Sequence, residues 1–191
     1  MYSQNNEEQI ILKYFTSHFR GRLLEIGAYD GISFSNSYQL LLNGWEGVMV
    51  EASPSVFKKL QANLSGLQVN LLNECITLAD EPEITFYDNQ GAVATTSLDH
   101  VQKWQRQEKF TPITVKPMSL SALLDQVGTD FAMVNIDVEG QSADLFYAAF
   151  DAMPDVKLWV VEHDSQVEKI IAHAVGYKVL LHNHENLILA K

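Results

Sequence analysis

Near-continuous runs of Val, Ile, Leu and Met alternate along the chain with longer stretches whose apolar residues recur every three or four positions. The first pattern predicts strands at 22–27 (RLLEIG), 47–52 (GVMVEA), 68–73 (QVNLLN), 131–137 (FAMVNID), 157–162 (KLWVVE), 176–182 (GYKVLLH) and 185–190 (ENLILA). Unbroken apolar runs of this length belong to strands covered on both faces. The second pattern predicts helices at 5–19, 35–43, 53–64, 141–150 and 165–175. The leading helix carries Ile10, Ile11, Tyr14, Phe15 and Phe19 at helical spacing. Ser53 is placed to cap the third, with Pro54 at its first position, and Gly44 and Gly176 close the second and last.

Strand–helix–strand alternation predicts a parallel sheet with helices on both faces. Only Asn183 and His184 separate the last two strands, too few for a crossover helix, so these strands pair as an antiparallel hairpin. The expected fold class is α/β: a mostly parallel seven-stranded sheet with an antiparallel last strand. Residues 1–191 read as one domain. The stretch at about 74–130 breaks the rhythm, with short strands at 84–88 and 113–118 and a helix at 98–109. We read it as an insertion covering one end of the sheet, where a substrate is held.

Composition narrows the partners. The chain is 47% hydrophobic and 19% charged, which fits a domain with a core rather than a disordered one. Its formal charge is −11, a surface that repels phosphate backbones, so no nucleic acid is expected as partner. A lone cysteine, Cys75, forms no internal disulfide. No apolar run reaches the roughly 20 residues of a membrane span, and MYSQNNEEQI lacks the layout of a signal peptide. These features predict a cytoplasmic setting without a membrane span.

The first strand runs straight into a glycine turn, Glu25-Ile26-Gly27-Ala28-Tyr29-Asp30-Gly31. Open parallel sheets bind ligands beyond the carboxyl ends of their strands. The Gly-x-x-x-Gly spacing is not the Gly-x-Gly-x-x-Gly that seats a pyrophosphate. A carboxylate two residues before the first glycine suits a positively charged ligand instead. The second strand ends in Glu51, which can accept hydrogen bonds from both ribose hydroxyls. Asn73, Glu74 and Cys75, at the end of the third strand, are placed to edge a base, with an exposed turn as the plainer reading. Turn, spacing and terminal acid together point to a nucleoside site, against the plainer reading of a tight turn and an exposed acid.

Segment 23–60, LLEIGAYDGISFSNSYQLLLNGWEGVMVEASPSVFKKL, resembles the FkbM-type S-adenosylmethionine-dependent methyltransferases. The residues that carry the likeness are Glu25, Gly27, Ala28, Asp30, Gly31, Ser35, Asn36, Gly44, Trp45, Gly47 and Glu51. A second block, VNIDVEGQSADLF at 134–146, resembles the family's Ile-Asp-Val-Glu-Gly signature, and 176–190 its closing hairpin. Two positions depart from the usual pattern: Tyr29 stands where many members have Asn, and Ala52 where many have Pro. The resemblance implies a Rossmann-like methyltransferase three-layer sandwich and S-adenosyl-L-methionine as cofactor. It implies Glu25, Gly27, Ala28, Asp30, Gly31, Ser35, Asn36, Glu51, Ala52 and Asp137 as the cofactor's surroundings, to which the chain topology adds Glu74 and Cys75. It also implies a small-molecule hydroxyl acceptor, such as a saccharide or natural product.

Asp137 and Glu139 follow the fourth strand of the expected sheet, next to the first. That places them near the transferable methyl, with Asp137 the first candidate to take the acceptor's proton and His163 the next. The plainer reading makes Asp137 a helix cap and Glu139 a solvated acid. The fifth strand ends in Glu162, His163 and Asp164. Asp137 and Glu162 are candidate ligands of a divalent cation, although helix-start acids explain this cluster better. No Asp/Asn-Pro-Pro-aromatic motif follows the fourth strand, which argues against a nucleobase amine as acceptor. His18, His100, His173, His182 and His184 form no ligand set in sequence. Two rival functions stand beside this one: an NAD-binding oxidoreductase, and a nucleoside-binding module without turnover.

Overall fold

A computed structural model describes residues 1–191. In chain order the elements are α1 (Glu7–Tyr14), β1 (Arg22–Ile26), α2 (Tyr38–Leu42), β2 (Glu46–Val50), α3 (Pro54–Asn63) and β3 (Val69–Leu72). Then come β4 (Ile76–Thr77), β5 (Ile84–Asp88), α4 (Leu98–Trp104), β6 (Thr111–Val115), β7 (Met118–Ser119) and α5 (Leu120–Val127). The chain ends with β8 (Met133–Ile136), α6 (Ser142–Ala152), β9 (Leu158–Glu162), α7 (Val167–His173), β10 (Lys178–His182) and β11 (Asn186–Ala190).

Seven strands form one sheet in the order β10-β11-β9-β8-β1-β2-β3. All neighbours run parallel except β11, which is antiparallel to both β9 and β10. Strand alternation divides the core in two. Leu24, Ile26, Val134, Ile136 and Val161 point to one face, beneath Leu123 of α5, Phe146 of α6 and Ile170 of α7. Leu23, Met133, Leu158 and Val160 point to the other, beneath Ile11 of α1, Leu40 of α2 and Leu60 of α3. This is a three-layer α/β sandwich of Rossmann-like methyltransferase topology. No helix is long and apolar enough to cross a membrane.

Several boundaries differ from those the sequence predicts. α1 stops at Tyr14 because Phe15 turns extended and packs its ring edge-on to Trp45, 4.7 Å between centroids. α2 starts at Tyr38 because Ser35, Asn36 and Ser37 are drawn into buried polar contacts at the end of β1. The stretch 74–130 holds two structures rather than one. Near its end lies α5, the crossover helix that returns the chain to β8, with Leu120, Leu123, Leu124 and Val127 buried in the core. Ser119 caps it by accepting from the Ala122 N–H at 3.3 Å. The remainder is an excursion in which β5 pairs antiparallel with β6, with α4 between them.

The switch point of the sheet lies between β1 and β8. Their register pairs Glu25 with Asn135 and Ile26 with Ile136, so Gly27 and Asp137 leave the sheet side by side. Ligand clefts of open α/β sheets form at such a point.

Candidate active site

Glu25 lies where the β1 pattern calls for an apolar residue facing α2, and it is only 3% exposed. It is held by a hydrogen bond from the Ser37 hydroxyl and one from Asn135 Nδ2 at 3.1 Å. Asn135 Oδ1 in turn accepts from Asn36 Nδ2 at 3.2 Å. Burial pushes the Glu25 carboxyl up to about 7, the Ser37 hydrogen bond opposes this, and the nearby Asp137 charge adds to it. Asn36 Oδ1 is buried without a partner, which leaves one acceptor free at the wall of the cavity it lines.

Glu51 closes β2 and is also buried. Its two oxygens accept from the Tyr29 N–H at 2.9 Å and the Ser53 N–H at 2.7 Å. These contacts tie the glycine turn to the start of α3. Burial raises this carboxyl to about 7 despite both hydrogen bonds. Asn73 Nδ2 donates to the Glu51 carbonyl at 2.7 Å and fixes the end of β3 against it.

Gly27 has φ +91°. A Cβ there would overlap the carbonyl oxygen of Asp137 and lie 2.7 Å from its carbon. Only glycine lets the β1 turn pass so close to β8. Asp30 serves the turn itself: Oδ1 accepts from the Ile32 N–H at 2.9 Å and the Ser33 N–H at 2.7 Å, and Oδ2 from the Ser33 hydroxyl at 2.8 Å. Asp30 and Gly31 therefore shape the loop and line neither of the two cavities beside it.

Those cavities meet at the turn. One, of about 580 Å³, is lined by Gly27, Tyr29, Glu51, Ala52, Glu74, Cys75 and Ile76, and by Phe86 and Thr95 from the excursion. The second, of about 510 Å³, is lined by Glu25, Ala28, Ser35, Asn36 and Asn135. An open cleft of about 1020 Å³ adjoins them, lined by His100, Lys103, Trp104, Glu162, His163 and Glu185. Asp137, Glu139 and Ala92 line all three spaces.

Carboxyls crowd this junction. Oxygens of Asp137, Glu139 and Glu162 all lie within 4.8 Å of one another. Burial first raises all three above the usual carboxylate range, Asp137 least; the charges of Glu185 and Asp164 add to this at Asp137, and the Asp137 charge adds to it at Glu139 and Glu162. Asp164 itself accepts from the Ala143 N–H at 3.2 Å and so caps α6. Glu139 has φ +39°, and Tyr29 and Phe34 also have positive φ. Strained backbone of this kind concentrates at functional sites.

A family model described as the methyltransferase FkbM domain matches residues 25–170. The chain belongs to the FkbM methyltransferase family. No functionally curated protein matches its sequence. Among solved structures, a hypothetical protein from Thermus thermophilus is similar with TM-score 0.53 and 16% identity, over 99% of this chain and 86% of that one. A ribosomal protein methylase from Lactobacillus delbrueckii subsp. bulgaricus is similar with TM-score 0.52 and 11% identity, over 96% and 75%. At these identities the likeness is one of fold, that of S-adenosylmethionine-dependent methyltransferases.

The residues present in this FkbM-family chain fit that cofactor. Gly27 and Ala28 line the cavities with main chain and a single methyl, Glu51 stands at the strand end, and Asn36 offers a free buried acceptor. Of the residues singled out in sequence, Glu25, Gly27, Ala28, Ser35, Asn36, Glu51, Ala52, Glu74, Cys75 and Asp137 are brought to the two cavities. Burial raises the Cys75 thiol well above its usual range, which keeps it an inert wall.

His163 is placed differently from its expected role as a base. Its Nδ1 accepts from the Ser165 N–H at 3.1 Å, which fixes the proton on Nε2, facing the Asn183 carbonyl at 3.2 Å. No basic lone pair is left free. Sequence reasoning missed Ser37, Asn135 and His100. Asn135 sits at a core-facing strand position in VNID, and a polar residue there was the available signal. His100 had no such signal, because only the fold carries α4 to the end of β8. Its Nε2 lies 3.1 Å from Glu139 Oε2, off the line of a hydrogen bond. Burial, helped by Lys103, lowers this imidazole to about 4, so it is neutral at pH 7.

Proposed function

We propose that this FkbM-family protein transfers a methyl group from S-adenosyl-L-methionine to a hydroxyl oxygen of a small molecule of the sugar or natural-product class. The carrying observation is the junction: both cavities beside the glycine turn open onto the same two carboxyls, Asp137 and Glu139, that line the wide cleft. A nucleoside cofactor and a separate acceptor need such an arrangement, two compartments with one point of contact.

In this reading Glu51 holds the ribose hydroxyls, and Ala52, Glu74, Cys75, Ile76 and Phe86 surround the base. Gly27 and Ala28 offer main chain along the middle of the ligand. Glu25, Ser35 and Asn36 surround the charged amino-acid end. Asp30 and Gly31 act through the shape of the turn. When bound, the cofactor supplies an activated methyl group on a cationic sulfur. Asp137 and Glu139 orient the acceptor hydroxyl and take up its proton, Asp137 first because its pKa is raised least. The excursion that carries Phe86, Ala92 and Thr95 forms the cover, and its Thr95 hydroxyl donates to the Glu139 carbonyl at 2.7 Å.

Calorimetry with S-adenosylhomocysteine tests the cofactor half without any acceptor. A panel of hydroxylated acceptors with methyl-labelled cofactor tests the other half. Saturable heat followed by labelled ether products supports the reading, and products labelled only on nitrogen contradict its acceptor class.

A further inference from the structure

We propose that the cleft holds a divalent metal ion, bound by Asp137, Glu139, Glu162 and the His100 imidazole. The three acids come from separate places, Asp137 and Glu139 after β8 and Glu162 at the end of β9, yet one oxygen of each falls within 4.8 Å of the others. Donors about 2.1–2.3 Å from a shared ion lie about 3 Å apart when adjacent and about 4.5 Å apart when opposite. One ion therefore fits among all three.

An acidic cluster alone would say little. The second observation is His100, which α4 carries to the sheet end beside the contact of Thr95 with the Glu139 carbonyl. It is 8% exposed, and its buried Nε2 has no hydrogen-bond partner. That nitrogen lies 3.1 Å from Glu139 Oε2, the separation of two adjacent ligands of one ion; it stands outside the group that the three acids' oxygens form, so the imidazole shifts toward Asp137 and Glu162 to complete the set. A buried imidazole nitrogen left without a hydrogen bond is costly, and a shared cation removes the cost. Three carboxylates with one imidazole make an oxygen-rich set that suits a hard ion such as Mn²⁺ better than a soft one. Lys103 lines the same cleft one helical turn from His100; its charge opposes the ion and is no part of the ligand set. The ion's remaining positions face the cleft, open to an acceptor oxygen. That last role rests on the methyl-transfer reading, whereas ion binding does not.

The test uses the full chain, freed of metal with EDTA and titrated with MnCl₂ under calorimetry and electron paramagnetic resonance. One ion per chain is expected, with ¹⁴N modulation in the pulsed spectrum of the wild-type protein. His100→Gln should remove that modulation, and it and Glu162→Gln should each weaken binding at least tenfold. Lys103→Gln should bind Mn²⁺ equally or more tightly. The ¹⁴N signal needs no variant, so it decides even if His100→Gln does not fold. Absence of saturable Mn²⁺ binding, binding without ¹⁴N modulation, or a cleft that takes n-butylammonium but not Mn²⁺ would overturn the proposal. S-adenosylhomocysteine heat on the same metal-free sample reads the nucleoside cavity separately. A protein that takes the ion and not the nucleoside keeps this site while losing the proposed function.

Discussion

The amide of Asp137 donates to the carbonyl of Ile26 at 2.9 Å, so the end of β8 is tied to the residue just before Gly27. The glycine turn and the acidic junction are one rigid unit. Gly27→Ala would push a methyl group into the Asp137 carbonyl and force an L side chain to φ +91°. A loss of about 2–4 kcal/mol in urea unfolding is expected. Nucleoside binding measured by calorimetry should fall with it.

Glu51 does two jobs with one carboxyl. In Glu51→Gln an amide N–H₂ replaces an acceptor facing either the Tyr29 or the Ser53 N–H. Affinity for S-adenosylhomocysteine should fall about 10- to 100-fold, the cost of a lost charged hydrogen bond. Tyr29→Asn is the contrast. Tyr29 reaches Glu51 through its backbone N–H, and Asn tolerates the left-handed φ of 49° better than Tyr. Its thermal stability should be equal or higher, measured by calorimetric melting.

Stability should fall as pH rises. Glu25 and Glu51 hold protons up to about 7 in the folded chain, against an ordinary 4.5. Each therefore stabilises the fold fully below pH 4.5 and loses that contribution as pH climbs through 7. The steepest slope is about 1.4 kcal/mol per pH unit for each group, an upper bound. Melting temperature of the ligand-free protein should drop between pH 5 and pH 8. Glu25→Gln should flatten that drop, because a glutamine can donate from its N–H₂ to the Ser37 oxygen and accept at its carbonyl from Asn135 Nδ2. A melting temperature that rises over this range contradicts the burial argument.

Asp137 and His163 separate at the level of turnover. With an acceptor returned by the panel, Asp137→Asn should lower kcat by about 10²–10⁴. His163→Gln should lower stability by about 1–2 kcal/mol through its two backbone contacts and leave kcat within a few-fold.

The five inner strands of the sheet were legible because their apolar runs are buried on both faces, as in LWVVE of β9 and NLILA of β11; the edge strands β3 and β10 carry apolar runs too, although most of their residues are partly or fully exposed rather than covered on both faces. The reversed last strand followed from a two-residue link. α5 was legible too, with Leu120, Leu123, Leu124 and Val127 at helical spacing behind Ser119. It was absorbed into the insertion because the excursion before it broke the strand–helix rhythm. Gly27, Glu51 and Asp137 could be found because each sits at the end of a strand. Ser37, Asn135 and His100 gain their meaning only from neighbours about 12, 110 and 39 positions away, Glu25 for the first two and Glu139 for the last. No local pattern encodes such pairings.

Isothermal titration of the wild-type chain with S-adenosylhomocysteine, and in parallel with NADH, bears most directly on the account. One saturable site for the sulfur nucleoside, weakened in Glu51→Gln, is the predicted result. Tight NADH binding with no heat from S-adenosylhomocysteine would contradict it.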